Sequence, residues 1–343
     1  MFFYFIYLVF LAILCGRYSI ANGKRLLDRE LGFKVAILTI IFVSAMRFNI
    51  GYDWSAYFSW IYPKFKPFAV ESREPLTRWI YYTANFFNQP WIVFFLYALI
   101  IYGTVGQALQ ENSSCKYESL IIYMALFYFM SLSSIRQHAA VGITLVGLRY
   151  IKEKKPLKYF LVCIIAMLAH KSAILAVLVY PLYYVPRKYS LLPGIVLFIG
   201  FKFVVPIILG SVFSTYLMYL DSGVASNSGN LMRLFYTVLL LYAILFIDKR
   251  NQGYFNICLI GVVLMYCLGG MTGERAGRYF LIYFILLMPE VNKRFTLNYR
   301  ILFLIPFYVY FFLYIYTAVT KNHSTEFIPF RWYFLEDLNQ PIS

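Results

Sequence analysis

Charged residues are scarce in this chain of 343 residues, and acidic residues are scarcer than basic ones. Only 13% of the residues are charged, whereas an average soluble domain carries about a quarter. No soluble core of this length could bury 33 Tyr and 34 Phe among so few polar partners. The composition therefore excludes a soluble protein and predicts an all-α, polytopic integral membrane protein.

Paired cysteines, metal-ligand spacings, internal repeats and a soluble segment are also missing. The five cysteines lie mostly within apolar runs and show no paired spacing: Cys15, Cys115, Cys163, Cys258 and Cys267. This excludes a disulfide framework and indicates no metal site, so we expect neither a metal nor a cofactor. The net charge of +16 is scattered over short loops, which favours membrane topology over nucleic-acid binding. We expect a single transmembrane domain over residues 1–343.

Long apolar runs recur along the whole chain, many close to the ~20 residues that cross a bilayer. We predict about twelve spans, at 2–16, 33–48, 91–107, 118–132, 135–151, 158–170, 172–185, 190–213, 231–247, 253–271, 276–290 and 301–319. The first run lacks a basic start, and Leu14 is too large for a typical cleavage site, so we interpret it as a retained helix. Residues 74–88 contain Arg78 and two asparagines, which favours an interfacial or re-entrant helix over a crossing.

The Lys and Arg residues divide unevenly between alternate loops. One set of loops holds 18 of the 31, the other set holds 12, and Lys202 lies within a span. The richer set should be cytoplasmic, which makes 47–90 and 214–230 extracytoplasmic. Four polar clusters then share the outer face: RFNIGYDW (47–54), SSIRQH (133–138), HKS (170–172) and TGERAGRY (272–279). Scattered snorkelling residues would have no reason to gather at one face.

The second cluster places a cation at a helix start. Helix N-termini favour anions, so Arg136 there indicates a phosphate-binding site. Ser134 and Gln137 have the spacing of a capping box, and a capping role and a substrate-binding role for Gln137 remain equally open. His138 could be an ordinary interfacial histidine.

The fourth cluster carries two arginines three residues apart. This spacing places Arg275 and Arg278 at neighbouring positions of one helix face, where two guanidinium groups could hold phosphate oxygens. Glu274 could be an acid or base, and we favour a role as the partner of one Arg. Tyr279 and Lys171 complete the predicted substrate-binding group.

Two groups could act as a catalytic base. His170, with an ordinary pKa near ~6.5, suits proton transfer at neutral pH, although it could also be a turn histidine. Asp53 could be the base, or could pair with Arg47, which is a further candidate ligand for the substrate. Lys202 and the Ser/Gly-rich loop 219–230 could be functional, as a mid-membrane cation and a lid, or purely structural.

The clusters together resemble a known family. Arg47-x3-Gly51-x-Asp53-x3-Tyr57, Ile135-Arg136-Gln137-x2-Ala140, His170-x-Ser172-Ala173 and Arg278-Tyr279 occur in the order seen in EpsG-like proteins, which belong with the Wzy-type polymerases. The resemblance spans nearly the entire chain. Tyr52 and Ser134 depart from it, where Thr and Asn are common.

The resemblance implies a membrane glycosyltransferase that joins undecaprenyl-pyrophosphate-linked oligosaccharides into O-antigen, capsular or exopolysaccharide. Such an enzyme would lie in the cytoplasmic membrane of a bacterium, among membrane lipids, with a chain-length regulator as a further candidate partner. Arg136, Arg275, Arg278 and Arg47 would stabilise the leaving pyrophosphate. A flippase for the same lipid is the alternative, although flippases gather charge near the midplane of repeated halves. An O-antigen ligase or a membrane acyltransferase is a weaker one.

Overall fold

A computed structural model of the chain describes residues 2–15, 29–200, 228–268, 270–321 and 327–336. Helices form all the regular secondary structure of these residues, apart from one isolated antiparallel bridge between Arg47 and Trp332. The all-α prediction is therefore confirmed. Lys202 and residues 219–227 of the predicted lid lie outside the described residues, and Ser228 begins a helix.

Eleven α-helices occupy the described residues up to Met167. They are α1 (Phe2–Cys15), α2 (Arg29–Ala45), α3 (Trp54–Ser59), α4 (Pro67–Glu71), α5 (Pro75–Phe86), α6 (Trp91–Asn112), α7 (Lys116–Leu126), α8 (Tyr128–Ser133), α9 (Ile135–Val146), α10 (Leu148–Lys152) and α11 (Pro156–Met167).

The described residues beyond Met167 add seven α-helices and three short 3-10 helices. The α-helices are α12 (Val179–Tyr183), α13 (Leu191–Ile199), α14 (Ser228–Phe246), α15 (Gln252–Leu268), α16 (Gly270–Leu281), α17 (Phe284–Asn292) and α18 (Leu297–Lys321). The 3-10 helices are Lys171–Leu178, Arg187–Tyr189 and Tyr333–Leu335.

Two described helices are long and apolar enough to cross a membrane as single units. They are α6 and, within α18, Leu297–Thr317. Other predicted spans are shorter or interrupted: the run 118–132 divides into α7 and α8, and the run 135–151 divides into α9 and α10. The 12 residues of α11 rise only about 18 Å, less than the hydrocarbon layer of roughly 30 Å. The count of twelve crossings therefore stays a prediction.

Buried tyrosines explain how so aromatic a chain packs. Tyr4, Tyr81 and Tyr159 are almost fully buried, and their hydroxyls donate to backbone carbonyl oxygens at 2.8, 2.8 and 2.7 Å. Each ring thus supplies apolar area to the core while its polar group is satisfied inside it. The acceptors lie far along the chain or in neighbouring elements, so these hydroxyls also join elements to each other.

Ion pairs among the described residues form two groups at opposite ends of the helices. One group, which we call the site end, contains Arg136–Glu74 and Arg278–Glu274. The other, the opposite end, contains Lys116–Glu30, Arg149–Glu111, Lys155–Glu153, Arg294–Asp248 and Arg300–Glu118. The two groups of ion pairs match the two sets of alternate loops in which Lys and Arg were counted. Which end faces outward stays a prediction.

Candidate functional site

The loop after α2 packs tightly against the end of α8. Gly51 has a φ of +108°, and a Cβ atom at this position would lie 2.7 Å from the carbonyl oxygen of Leu132. A side chain would therefore be both strained and obstructed here, which explains the glycine. The amide of Tyr52 donates to Ser133 Oγ at 3.1 Å. These contacts hold the loop that carries Asp53 beside the start of α9.

Arg47 holds this junction together from inside the protein. Its side chain is buried, and its guanidinium donates to the carbonyl oxygens of Ile50 at 3.0 Å and Leu132 at 2.9 Å, and also to that of Ser44. Arg47 makes no ion pair with Asp53, so that predicted alternative is wrong. The expectation that Arg47 binds the leaving group does not fit this geometry either, because its side chain is buried and each of its three nitrogens already donates to a backbone oxygen. Arg47 supports the site instead of lining it.

Arg136 lies at the start of α9, as predicted, and reaches across to α5. Its Nη1 donates to Glu74 Oε2 at 2.7 Å. The guanidinium carbon lies 5.9 Å from the ring centroid of Tyr57 and 5.8 Å from that of Trp60, within the range of cation–π attraction. Its buried Nε has no hydrogen-bond partner among the described residues. The guanidinium is thus held in place yet keeps donor capacity for a ligand.

Glu74 is the central residue that the sequence reasoning missed. It precedes Pro75 at the start of α5, where an acid is usually explained by the helix dipole. Burial of the carboxyl raises its pKa, but backbone hydrogen bonds and the charges of Arg136 and His170 outweigh this, and the pKa falls below its ordinary value. The backbone amide of Lys171 lies 3.5 Å from Glu74 Oε1. Glu74 therefore joins the second and third clusters as an anion.

Gln137 links α9 to α16 and does not cap its own helix. Ser134 makes no capping hydrogen bond with its side chain, so the predicted capping box is wrong. Gln137 Oε1 instead accepts from Arg278 Nη1 at 2.9 Å, and its Nε2 donates to the carbonyl oxygen of Arg275 at 2.6 Å. Ser134 Oγ accepts from the same Nη1. The second and fourth clusters are therefore in direct contact.

The two arginines of α16 have different surroundings, contrary to the expectation that they act side by side. Arg278 is buried, and its Nη2 and Nε donate to Glu274 Oε1 at 2.6 and 3.2 Å. Glu274 is thus the partner of an arginine, as favoured from the sequence. Arg275 is exposed, and its side chain has no hydrogen bond or ion pair with a described residue. Arg278 turns inward because Glu274, one turn earlier, faces the interior with it.

Glycines allow α16 to approach its neighbour closely. A Cβ atom on Gly277 would lie 3.0 Å from the carbonyl oxygen of Gly261 in α15. Without a side chain at this crossing, the two helices pack backbone to backbone, as small residues permit in membrane proteins. This contact fixes the position of Arg275 and Arg278 along the axis of α15.

His170 lies in the turn between α11 and the 3-10 helix that follows. Its Nδ1 accepts a hydrogen bond from the backbone amide of Ser172 at 3.3 Å and lies 2.7 Å from Ser172 Oγ. That oxygen lies 2.9 Å from the hydroxyl of the buried Tyr279 on α16. Two predicted residues, His170 and Tyr279, thus meet through a serine to which the sequence reasoning gave no role.

The pKa of His170 differs from the expected value near neutrality. Burial, together with the positive charges of Arg136, Arg275 and Arg278, lowers this pKa to about 4 against the opposing effect of Glu74. At neutral pH the imidazole is therefore uncharged. The charges of Glu74, Arg136, Arg275 and Arg278 therefore all act on this ring.

Asp53 is half-buried and has no partner among the residues that the structure describes. It begins α3, yet its side chain makes no capping hydrogen bond and no ion pair with a described residue. The charge of Asp53 affects the nearby phenol of Tyr57. Burial raises the pKa of Tyr57, Asp53 raises it further, and Arg136 and Arg275 oppose this rise. Asp53 therefore faces the same neighbourhood as these arginines and keeps its lone pairs available.

The remaining candidate residues are Lys171 and His138. The side chain of Lys171 is exposed and has no described acidic partner. His138 is buried one turn into α9, where its Nδ1 lies 3.1 Å from the carbonyl oxygen of Ser134. Among the described residues, no three His, Cys, Asp or Glu side chains come together as metal ligands would.

The chain was compared with protein families, curated proteins and solved structures. The model of the EpsG family matches residues 31–332, which is nearly the whole chain. The chain belongs to the EpsG family. EpsG proteins are a family of Wzy-like polymerases, and the family match indicates a membrane protein of polysaccharide biosynthesis. No curated protein and no solved structure matches the chain. All of the site residues described above lie within the EpsG match.

Proposed function

We propose that this EpsG-family protein is a multi-pass membrane glycosyltransferase that polymerises undecaprenyl-pyrophosphate-linked oligosaccharide repeat units. The product would be O-antigen, capsular or exopolysaccharide, made at the extracytoplasmic face of the cytoplasmic membrane of a bacterium. One observation carries this proposal: four segments far apart in sequence meet in a half-buried cluster where cations with spare donors surround an uncharged histidine. Such a cluster suits a lipid-linked pyrophosphate, because cationic donors match its anionic oxygens.

The cations that can meet the pyrophosphate are those not saturated by protein acceptors. Arg136 keeps a buried Nε without a described partner, and the side chains of Arg275 and Lys171 have no described acid beside them. Arginine forks suit phosphate oxygens because two parallel N–H bonds match their geometry. Arg278 would act indirectly, by fixing Gln137 and through it the start of α9.

The proposed reaction is a single displacement. The hydroxyl of the acceptor sugar attacks the anomeric carbon of the growing chain, and the bond from this carbon to the phosphate oxygen breaks. The electron pair leaves with undecaprenyl pyrophosphate, and the cations stabilise that charge as it develops. Asp53 would take the proton of the attacking hydroxyl, because its carboxylate has no described partner and faces the same neighbourhood.

An exposed aromatic face supports a lipid-linked substrate. On α5, Thr77 and Ile80 are buried against the protein, whereas Trp79 and Phe86 are 57% and 82% exposed. Aromatic side chains of this kind are typical of the membrane interface. We place α5 there, so that Glu74 at its start would lie at the depth of a lipid pyrophosphate.

The test is incubation of the purified protein, in proteoliposomes, with a synthetic undecaprenyl-pyrophosphate-linked repeat unit. We expect a ladder of products that differ by one repeat unit, with one undecaprenyl pyrophosphate released for each bond formed. Arg136→Gln should abolish the ladder, and Arg187→Gln, the same change at an exposed arginine far from the site, should leave it unchanged.

Three outcomes would contradict the proposal. Movement of the intact lipid-linked unit across the bilayer without a ladder would identify a transporter. Transfer of one chain to a lipid A core acceptor, without growth of the chain, would identify a ligase. Acylation of the sugar with no new glycosidic bond would identify an acyltransferase.

A further inference from the structure

The hydrogen bonds of His170 determine which ring nitrogen carries the proton. A backbone amide can only donate, and the amide of Ser172 points at Nδ1 from 3.3 Å. Nδ1 therefore bears a lone pair and no proton. In a neutral imidazole one nitrogen is a donor and the other an acceptor, so the proton is on Nε2.

The hydroxyl of Ser172 reinforces this arrangement. Because Nδ1 is an acceptor, Ser172 Oγ, 2.7 Å away, must donate to it. The serine oxygen is then free to accept from the Tyr279 hydroxyl at 2.9 Å. The three side chains form a directed chain in which Tyr279 donates to Ser172 and Ser172 donates to His170. Two donors thus hold Nδ1, and turning the ring over would break both hydrogen bonds.

The other nitrogen of the ring is available. Nε2 of His170 has no hydrogen-bond partner among the described residues, and the ring is partly exposed beside Glu74, Arg136 and Arg275. A ring in this state offers an N–H group to the site, while its only basic nitrogen faces Ser172. It is therefore arranged to donate a hydrogen bond and not to remove a proton.

We propose that His170 donates a hydrogen bond from Nε2 to a phosphate oxygen of the lipid-linked donor, and that Ser172 and Tyr279 are positioning residues that fix this tautomer. This inference rests on the proposed polymerase function and reverses the predicted role of His170 as the base. No proton moves from His170 in the step: the acceptor proton goes to Asp53, and the leaving phosphate gains only a hydrogen bond.

Two substitutions of His170 distinguish a hydrogen-bond donor from a base. In His170→Gln the amide nitrogen can take the position of Nε2 and still donate, yet glutamine cannot act as a base. His170→Ala has neither ability. We expect His170→Gln to keep polymerisation within about fivefold of wild type and His170→Ala to lose roughly ten- to a hundredfold, as for a hydrogen bond to a charged group.

Two results would overturn this role. If His170→Gln were as inactive as His170→Ala, at equal membrane abundance and equal binding of undecaprenyl pyrophosphate, His170 would be the base. If both variants polymerised like wild type, His170 would not contact the substrate. Absence of a ladder with the wild-type protein would contradict the proposed function instead, so the two failures are distinguishable.

The tautomer can be measured without any activity. The chain has only 3 His residues, so ¹⁵N-histidine labelling gives few ring signals, and His170→Gln identifies the one in question. At pH 7 we expect a protonated Nε2 and an unprotonated Nδ1 for His170. Ser172→Ala keeps the backbone amide, so Nε2 should remain the protonated nitrogen, but the ring loses its shorter hydrogen bond and turnover should fall. Ser172→Thr, which restores the hydroxyl, should recover turnover. A proton on Nδ1 in the wild-type protein would overturn the proposal.

Discussion

The site end and the opposite end each contain a buried arginine–glutamate pair, and the two pairs resemble each other at first sight. The side chains of Arg136 and Glu74 are 17% and 9% exposed, and those of Arg300 and Glu118 are 14% and 4% exposed. The N–O distances are also alike, at 2.7 Å for Arg136 Nη1 and 2.6 Å for Arg300 Nε. Neither burial nor distance distinguishes a functional pair from a structural one.

The difference lies in what each guanidinium has left to donate. Arg300 directs both Nε and Nη2 at one carboxylate oxygen of Glu118, as Arg278 does with Glu274. Arg136 gives its acid a single nitrogen and keeps a buried Nε without a described partner. A buried donor left unsatisfied is unfavourable unless a ligand completes it. Between these two pairs, unused donor capacity on the guanidinium, and not the ion pair itself, is therefore what differs.

The largest effect should come from changing Arg136 to lysine, with the same change at Arg300 as the comparison. Arg136→Lys keeps the charge opposite Glu74 but loses the planar fork, so polymerisation should fall on the order of a hundredfold while membrane abundance is retained. Arg300→Lys should leave turnover per molecule close to wild type and lower the thermal midpoint of unfolding. Ladder formation and thermal unfolding in detergent measure both. Equal turnover in the two variants would remove the distinction between the ends.

A smaller effect is expected at the exposed arginine of the site. Arg275→Gln leaves the backbone oxygen that Gln137 uses, so stability should change by less than about 0.5 kcal/mol. Binding of undecaprenyl pyrophosphate should weaken roughly two- to fivefold, as for an exposed charge contact. Arg187→Gln, the same change at an exposed arginine between α12 and α13, should bind like wild type. An equal loss in both variants would indicate a general effect of net charge.

The smallest effect concerns pH and stability. The pKa of His170 is about 4 in the folded protein and near ~6.5 when unfolded, so the unfolded chain takes up this proton first as the pH falls. The stability linked to a neutral His170 is full above pH ~6.5 and is lost as the pH falls toward 4. Glu74, with a lowered pKa, adds a further loss only below its unfolded pKa of about 4.3.

This titration can be isolated by substitution. Between pH 7 and pH 5, the thermal midpoint of the wild-type protein should fall by a few °C more than that of His170→Gln, which cannot take up the proton. The opposite end contains no histidine among its ion pairs and should add nothing in this window. Identical pH slopes for the two proteins would mean that His170 is not held neutral by the fold.

Composition and apolar spacing predicted the helical fold, and the alternation of predicted spans indicated which loops share an end. The same alternation placed the clusters of Arg136, His170 and Arg278 at one face. These features depend on the local sequence pattern or on the overall composition, and a single sequence provides both. The lengths of single helices were less accessible, because the apolar runs continue through the breaks at Phe127 and Gly147.

The roles of individual site residues depend on partners that spacing does not reveal. Arg47 was a candidate ligand until three backbone oxygens were found around it. Glu74 had no motif of its own, and its importance follows only from Arg136, 62 residues away in sequence. The proton position on His170 follows from the amide of Ser172, which depends on the conformation of a single turn.

The pairing of Arg300 with Glu118 has a consequence for the order of synthesis. The two residues are 182 positions apart, so Glu118 is made long before the helix that carries its arginine. At the site end each acid also precedes its arginine, but by less: Glu74 precedes Arg136 by 62 residues, and Glu274 precedes Arg278 by one turn. A carboxylate within the membrane without its cation is unfavourable. The nascent chain therefore completes the charges of its site end first, and its opposite end only when α18 arrives.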